Sequence, residues 1–369
     1  MAEMKKRNFA VFAAGSVTSK EIAKKMEKQG IRFVNIPLKR GPDFLGGDLI
    51  YFLRVFFLCR REKFYLCHNF TIKPCIYAVL AQRLAGIKNI YCTVTGLGSA
   101  FSCAGSCRIK NYLSLKSIAV RLYKFSLKHA KIIIFQNPED RKTFINLNIV
   151  REEKSALVKS SGVDTKEFSL QNIRREAQEK ISKEINYNKD KIVISLISRM
   201  LWQKGVGEFV KAAEELRWKP LNLEFLLVGP VDRENPSGIA EKKIKEWEGK
   251  GFVKYLKNRD EIREILALSN IVVLPSYYKE GIPKILLEAG AMERPLIAAD
   301  VPGCREAVRN NENGFLVNPR DSKDLAEKME ILIKNKDLRE KFGKRSREIV
   351  EKDFNVEKVV RETIERYNL

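Results

Sequence analysis

Four short apolar runs most constrain the fold: "KIVISLIS" (191–198), "LEFLLVG" (223–229), "IVVLPS" (271–276) and "PLIAAD" (295–300). Each is too short for a helix and apolar at nearly every position, as strands buried on both sheet faces are. Amphipathic stretches separate them, the alternation that builds a parallel sheet covered by helices. The first half repeats the pattern, with strands expected at about 8–14, 31–36, 64–68, 89–94 and 131–136. The expected class is therefore α/β: two Rossmann-like domains face each other, with ligands at the carboxyl ends of their strands.

At 369 residues the chain can bury two cores. The stretch 160–191 is polar and charged without a strand pattern and reads as the connection between domains. The expected division is 1–165, 166–350 and a C-terminal helix within 351–369 that packs back toward the first domain. One helix is expected over 321–350 and a last one near 355–367. No stretch approaches the roughly 20 apolar residues of a membrane span. The basic N-terminus precedes an apolar run of about six residues, short for a signal peptide and better read as a first strand. Seven cysteines, six of them between Cys59 and Cys107, match no zinc spacing, and the chain has only two histidines. Reduced thiols and no metal site are expected.

Charge is unevenly placed. Of a net +23, residues 1–160 hold +19, from 29 Lys and Arg against 10 Asp and Glu. No acid stands between Glu62 and Glu139. That asymmetry points to an anionic partner of the first half, either nucleic acid or a membrane surface. Two basic, aromatic-bearing segments concentrate it: "DLIYFLRVFFLCRREKF" (48–64), with Arg54, Arg60 and Arg61, and "CRIKNYLSLKSIAVRLYKFSLKHAK" (107–131), with Lys116, Arg121 and Lys124. Lys73 lies between them.

In the second half the polar features fall just after strands. Arg199 and Lys204, in "SRMLWQKGVGEF", are two cations suited to a diphosphate. "VGPVDRENPSG" (228–238), with Asn235, is a turn-rich loop after the next strand. "SYYKEGIPKILLEAG" (276–290) sets Glu280 and Glu288 eight positions apart. Pro283 suits the first position of a helix, where its missing N–H costs nothing. That leaves Glu280 in a loop and Glu288 on the second turn, so the two are no close acid–base dyad. The Gly281-Ile282-Pro283 backbone and the helix start instead form a phosphate seat, with a carboxylate on each side for sugar and ribose hydroxyls.

The set "SRMLWQKGVGEF", "LPSYYKEGIPKILLEAGAMERPLIAADVPGCREAV" and "ENGFLV" resembles the family-4 retaining glycosyltransferases of the GT-B fold. "HNFTIKPCIYAVLAQRLAG" and "TVTGLGSAF" extend the likeness into the first half. It is nearest to the branch of N-acetylgalactosaminyltransferases acting on undecaprenyl-diphosphate-linked sugars in bacterial N-glycosylation. One departure is the adjacent pair Tyr277–Tyr278, where that pattern usually carries a single aromatic.

The resemblance implies that Arg199 and Lys204 hold the diphosphate and stabilise the leaving group. Glu280 contacts donor hydroxyls, Gly281–Pro283 the β-phosphate and Glu288 the ribose. Asn258 and Arg259, in "LKNRDEI", flank the base. In the acceptor domain it implies Gly15 in the N-terminal glycine loop, His68 facing the cleft and a glycine turn at Gly96 and Gly98. It implies a UDP-sugar co-substrate, UDP-GalNAc by the nearest branch, and no divalent cofactor. The acceptor is then a polyprenyl-diphosphate-linked saccharide, met at the inner face of the cytoplasmic membrane by a peripheral enzyme. An anionic membrane surface so becomes the favoured partner of the basic half. The rival readings are a transferase for a lipopolysaccharide, capsule or soluble acceptor, and a basic nucleic-acid-binding protein on an α/β scaffold.

Overall fold

The computed structural model describes residues 1–16, 20–38, 46–97, 101, 109–278, 281–367 and 369, with backbone only at 20–22 and 109–115. Lys279, Glu280 and Gly98 therefore lie outside the described residues. The first half runs α1 (Ala2–Lys6), β1 (Phe12–Gly15), α2 (Lys20–Lys28), β2 (Arg32–Asn35), α3 (Gly47–Glu62) and β3 (Leu66–Phe70). A π-helical turn (Pro74–Ala78), α4 (Val79–Leu84), β4 (Asn89–Val94), α5 (Ile109–Leu127), β5 (Ile132–Phe135), α6 (Pro138–Asn146) and β6 (Ser155–Leu157) follow. The second half comprises α7 (Arg175–Glu184), β7 (Ile192–Ile197), α8 (Val206–Arg217), β8 (Leu223–Val228), α9 (Glu241–Gly249), β9 (Lys254–Tyr255), α10 (Ile262–Leu268) and β10 (Ile271–Leu274). It continues through α11 (Lys284–Ala291), β11 (Leu296–Ala299), α12 (Cys304–Ala307), β12 (Gly314–Val317), α13 (Ser322–Lys334), α14 (Lys336–Asp353) and α15 (Val356–Glu365).

The second half is one six-stranded sheet in the order β12-β11-β10-β7-β8-β9, parallel throughout. Its central strands are apolar on both faces because helices cover both. Val193, Leu226, Val272 and Ala298 face one core, and Ile194, Leu227, Val273 and Ile297 the other. Strand order reverses between β7 and β10, which opens a crevice at their carboxyl ends. The first half pairs β1 with β2 and sets β3-β4-β5-β6 in a separate parallel sheet with its own core.

Three strands absent from the expectation, β6, β9 and β12, are all sheet edges, two to four residues long. The single helix expected over 321–350 is two. Asn335, at φ −120°, leaves helical geometry and its side chain caps α14 through Leu338 N. The polar stretch 160–191 is not purely a connection, since α7 buries Ile181, and Ile185 beyond it, in the second-half core. The chain passes between halves twice, and the passages lie side by side: Val163 N donates to Phe354 O, and Val356 N to Val163 O. Beyond the second passage α15 lies on the first half, where Val359 packs with Ile134 and Val158. Ile364 and Tyr367 pack on Tyr91.

Candidate active site

The loops after β7 and β10 meet at the strand-order reversal. Gly205 stands at φ 75° between them, and a Cβ there would lie 2.3 Å from Pro275 O. Only glycine lets the β7 loop lie so closely against the β10 loop. Gln203 O then accepts from Tyr277 N at 3.1 Å and from Ser276 Oγ at 3.2 Å. The loop after β8 joins from the other side: Met200 N donates to Pro230 O, and Trp202 N to Ser237 O. Three segments distant in sequence are thereby fixed to one another by backbone bonds.

Arg199 and Lys204 both sit on this scaffold and are half-buried. Arg199 Nη1 donates to Asp232 Oδ2 at 2.6 Å, and that carboxylate is 9% exposed. Asp232 went unremarked in the sequence, because only the β7–β8 pairing carries a residue 33 positions away to Arg199. Tyr277, the first of the doubled tyrosines, presents its ring to Arg320, with the guanidinium 4.5 Å from the centroid. Its N–H and ring thus tie down the root of the loop that leads to Glu280.

Glu288 lies on the second turn of α11, its side chain 13% exposed, with Lys284 Nζ at 3.4 Å. Burial pushes its carboxyl above the usual range, and the Lys284 ammonium opposes that. Pro283 is not the first helical residue. Its ψ of 117° places it at the N-cap, and α11 starts at Lys284. The expected three-residue phosphate seat is narrower too. Gly281 N–H donates to Thr95 O at 3.0 Å, Ile282 is buried in the core, and Pro283 has no N–H. The helix start supplies instead the N–H groups of Lys284 and Ile285, which precede any acceptor within the helix.

The Gly281–Thr95 bond joins the strand ends of the two halves. A Cβ on Gly281 would meet Gln136 Oε1 at 2.2 Å and Thr95 O at 2.7 Å. Two ion pairs bridge the halves beside it, Arg305 to Glu139 at 2.6 Å and Lys159 to Glu306 at 3.3 Å.

Several expected contact residues are otherwise engaged. The His68 ring is not an open cleft group: Nδ1 pairs with Tyr367 Oη at 2.6 Å and Nε2 with Thr93 Oγ1 at 2.7 Å. Burial lowers its pKa to about 3, so it stays neutral and fastens the chain's end to β3 and β4. Lys73 is no surface cation, since it pairs with Asp48, which is 1% exposed at the start of α3. Arg259 reaches back to Leu256 O and to Glu184 of α7. Asn235 closes a turn by accepting from Ser237 N at 2.9 Å. Asn258 is exposed just beyond β9. Gly15 ends β1 with nothing within 4 Å of an added Cβ, so among the described residues no atom demands glycine there. Gly96 holds φ 125° in the loop after β4. Arg54, Arg60, Arg61, Arg121 and Lys124 are exposed and Lys116 is half-buried.

Comparison with known proteins shows the family. Residues 177–349 match the model of "Glycosyl transferases group 1". The N,N'-diacetylbacillosaminyl-diphospho-undecaprenol alpha-1,3-N-acetylgalactosaminyltransferase of Campylobacter jejuni is 36% identical over 268 residues, 73% of this chain and 67% of that protein. The chain belongs to the group 1 glycosyltransferases. The capsular polysaccharide biosynthesis glycosyltransferase CapM of Staphylococcus aureus, in the same comparison, is 28% identical over 90% of this chain and 84% of its own length. Anabaena HepE, solved with UDP and glucose, superposes with a TM-score of 0.78 at 19% identity over 100% of this chain and 93% of its own. This glycosyltransferase thus has the GT-B fold, two Rossmann-like halves about a cleft. Among the described residues no helix is long and apolar enough to cross a membrane.

Proposed function

We propose that the chain is a retaining glycosyltransferase that moves an N-acetylhexosamine, GalNAc from UDP-GalNAc, onto a polyprenyl-diphosphate-linked saccharide at the inner face of the cytoplasmic membrane. One observation carries the donor half. At the strand-order reversal the loop carrying Arg199 and Lys204 is bonded through Gln203 O to Ser276 and Tyr277, the root of the segment that leads into α11. Two cations and a helix N-terminus suit a diphosphate leaving group.

In the transfer the anomeric C–O bond to the β-phosphate breaks and the acceptor hydroxyl oxygen bonds the same face. The hydroxyl proton passes to the departing phosphate, which leaves as UDP. Arg199 and Lys204 stabilise the charge that develops, Asp232 holds the Arg199 guanidinium, and Glu288 receives the ribose hydroxyls. Glu280 is assigned the donor sugar from its place in the sequence. These cations fill the role a divalent ion would take, so turnover is expected to survive chelator. The Campylobacter relative's name supports the lipid-diphosphate acceptor and the GalNAc donor. CapM supports the runner-up, a capsule-type acceptor. The basic first half suits an anionic membrane better than nucleic acid, because the site uses a lipid-linked acceptor and no recognition motif accompanies the charge.

Protection by UDP against thermal unfolding tests the donor assignment. Wild type should gain several degrees at saturating UDP, and Arg199→Ala should lose most of that gain. Equal protection of both proteins would remove Arg199 from the site.

A further inference from the structure

Helix α3 has two apolar sides. Tyr51, Val55, Leu58 and Cys59 enter the first-half core. A helix covering a sheet normally turns charge to the solvent. Here Leu49, Ile50, Leu53 and Phe57 stand outward, 50%, 51%, 41% and 64% exposed. At about 100° per residue these four fall within one arc of about 100°, centred opposite the core-facing four. Arg54 and Arg61 border one edge of that arc, and exposed Arg60 falls within it at the helix's C-terminal end, beyond Phe57. The helix's two acids are withdrawn from it: Asp48 is buried against Lys73, and Glu62 pairs with Arg32 and Arg61. Helix α5, packed like α3 on the Pro74–Ala78 turn, adds exposed Phe125 with Lys128 4.4 Å from its ring centroid.

We propose that α3 is an interfacial anchor: its outer apolar face enters the headgroup–acyl boundary of an anionic bilayer while the bordering arginines hold lipid phosphates. The proposal rests on the lipid-acceptor reading and sharpens it, because it replaces a purely electrostatic contact with partial insertion. Charge complementarity selects the occupant. An apolar stripe from Leu49 to Phe57, with arginines along one edge and at its C-terminal end, matches an anionic lipid surface, whereas a second copy of this chain would bring its own arginines against these. Insertion also fixes orientation, since one inserted helix and the basic flank of α5 define a plane.

The test is sedimentation with phosphatidylglycerol-containing liposomes across a salt series, for the full chain, Leu53→Ser/Phe57→Ser and Phe57→Trp. At about 1 M salt, where screening leaves a Debye length near 3 Å, the wild type should keep a bound fraction. The double serine variant should bind at least ten-fold more weakly there. Phe57→Trp should show quenching by brominated lipid beyond that of the wild type. UDP-sugar hydrolysis, which needs no membrane, should be unchanged in the serine variant, showing an intact fold. Complete release of wild type at high salt together with an unquenched Trp at position 57 would overturn the anchor. So would a serine variant that shifts a monomer–dimer equilibrium in sedimentation velocity without altering lipid binding. Absence of donor hydrolysis in every protein, with salt-resistant binding retained, would sink the enzymatic reading and leave the anchor standing.

Discussion

Gly281→Ala isolates the approach of the two halves. Gly281 does not hold positive φ, so alanine is allowed there and the substitution acts through space alone. Its Cβ would lie 2.2 Å from Gln136 Oε1 and 2.7 Å from Thr95 O. The glutamine is a flexible side chain and can swing away. The Thr95 carbonyl is backbone at the end of β4 and cannot, so the halves must part by about 0.7 Å to restore ordinary contact. That stretches the Gly281 N–H bond to Thr95 O, worth about 1 kcal/mol, and moves the acceptor half away from the donor loop. A misplacement near 1 Å can lower a rate about 10²-fold. The expected loss in kcat/KM is therefore about 10- to 100-fold, or roughly 1.4–2.7 kcal/mol. Tm should stay within about 2 °C, because neither core is touched. Steady-state kinetics by UDP release, with a thermal melt, reads both quantities. A kcat/KM within twofold of wild type would show that transfer does not need the halves this close.

Other substitutions separate structural from functional roles. Lys73→Met leaves Asp48 buried without its ammonium and should cost about 3–5 kcal/mol by denaturant unfolding, with the salt dependence of liposome binding unchanged. His68 is held neutral, its pKa lowered to about 3 against an ordinary 6.5. Stability from this group is therefore full above pH 6.5, and falls by roughly 1 kcal/mol per pH unit as acid protonates the unfolded chain first. His68→Gln should flatten that part of the profile in melts from pH 7 to pH 4. Arg305→Ala removes an exposed bridge to Glu139 and should change stability by less than about 1 kcal/mol and KM by less than about threefold. A larger effect in the kinetics would make the pair a working part of the cleft.

Much of the second half was legible in the sequence because its strands are buried on both faces and so read as unbroken apolar runs. The loops that carry Arg199, Lys204 and Pro283 were legible because each follows such a run. The edge strands β6, β9 and β12 were not, since an edge of two to four residues needs little apolar character. His68 looked like a cleft residue because its partner Tyr367 lies 299 positions away and only the return of α15 brings it near. Lys73 read as one more cation in an acid-poor stretch, while the acid that matters, Asp48, sits 25 residues upstream. Asp232 and Thr95 gained meaning only from strand pairing and from the meeting of the halves. In α3 the arginines and aromatics drew notice but not their division into a core-facing and an outward apolar side, because a helix apolar on opposite sides shows little net periodicity.

The most direct test of the central claim is transfer itself. Purified protein is given UDP-GalNAc, or other UDP-sugars in turn, with a polyprenyl-diphosphate-linked saccharide and chelator present, and the product's anomeric configuration is read by NMR. The expected result is chelator-resistant transfer, fastest from UDP-GalNAc, yielding an α-linked product and one UDP per sugar moved. No transfer from any UDP-sugar, or a β-linked product, would contradict it.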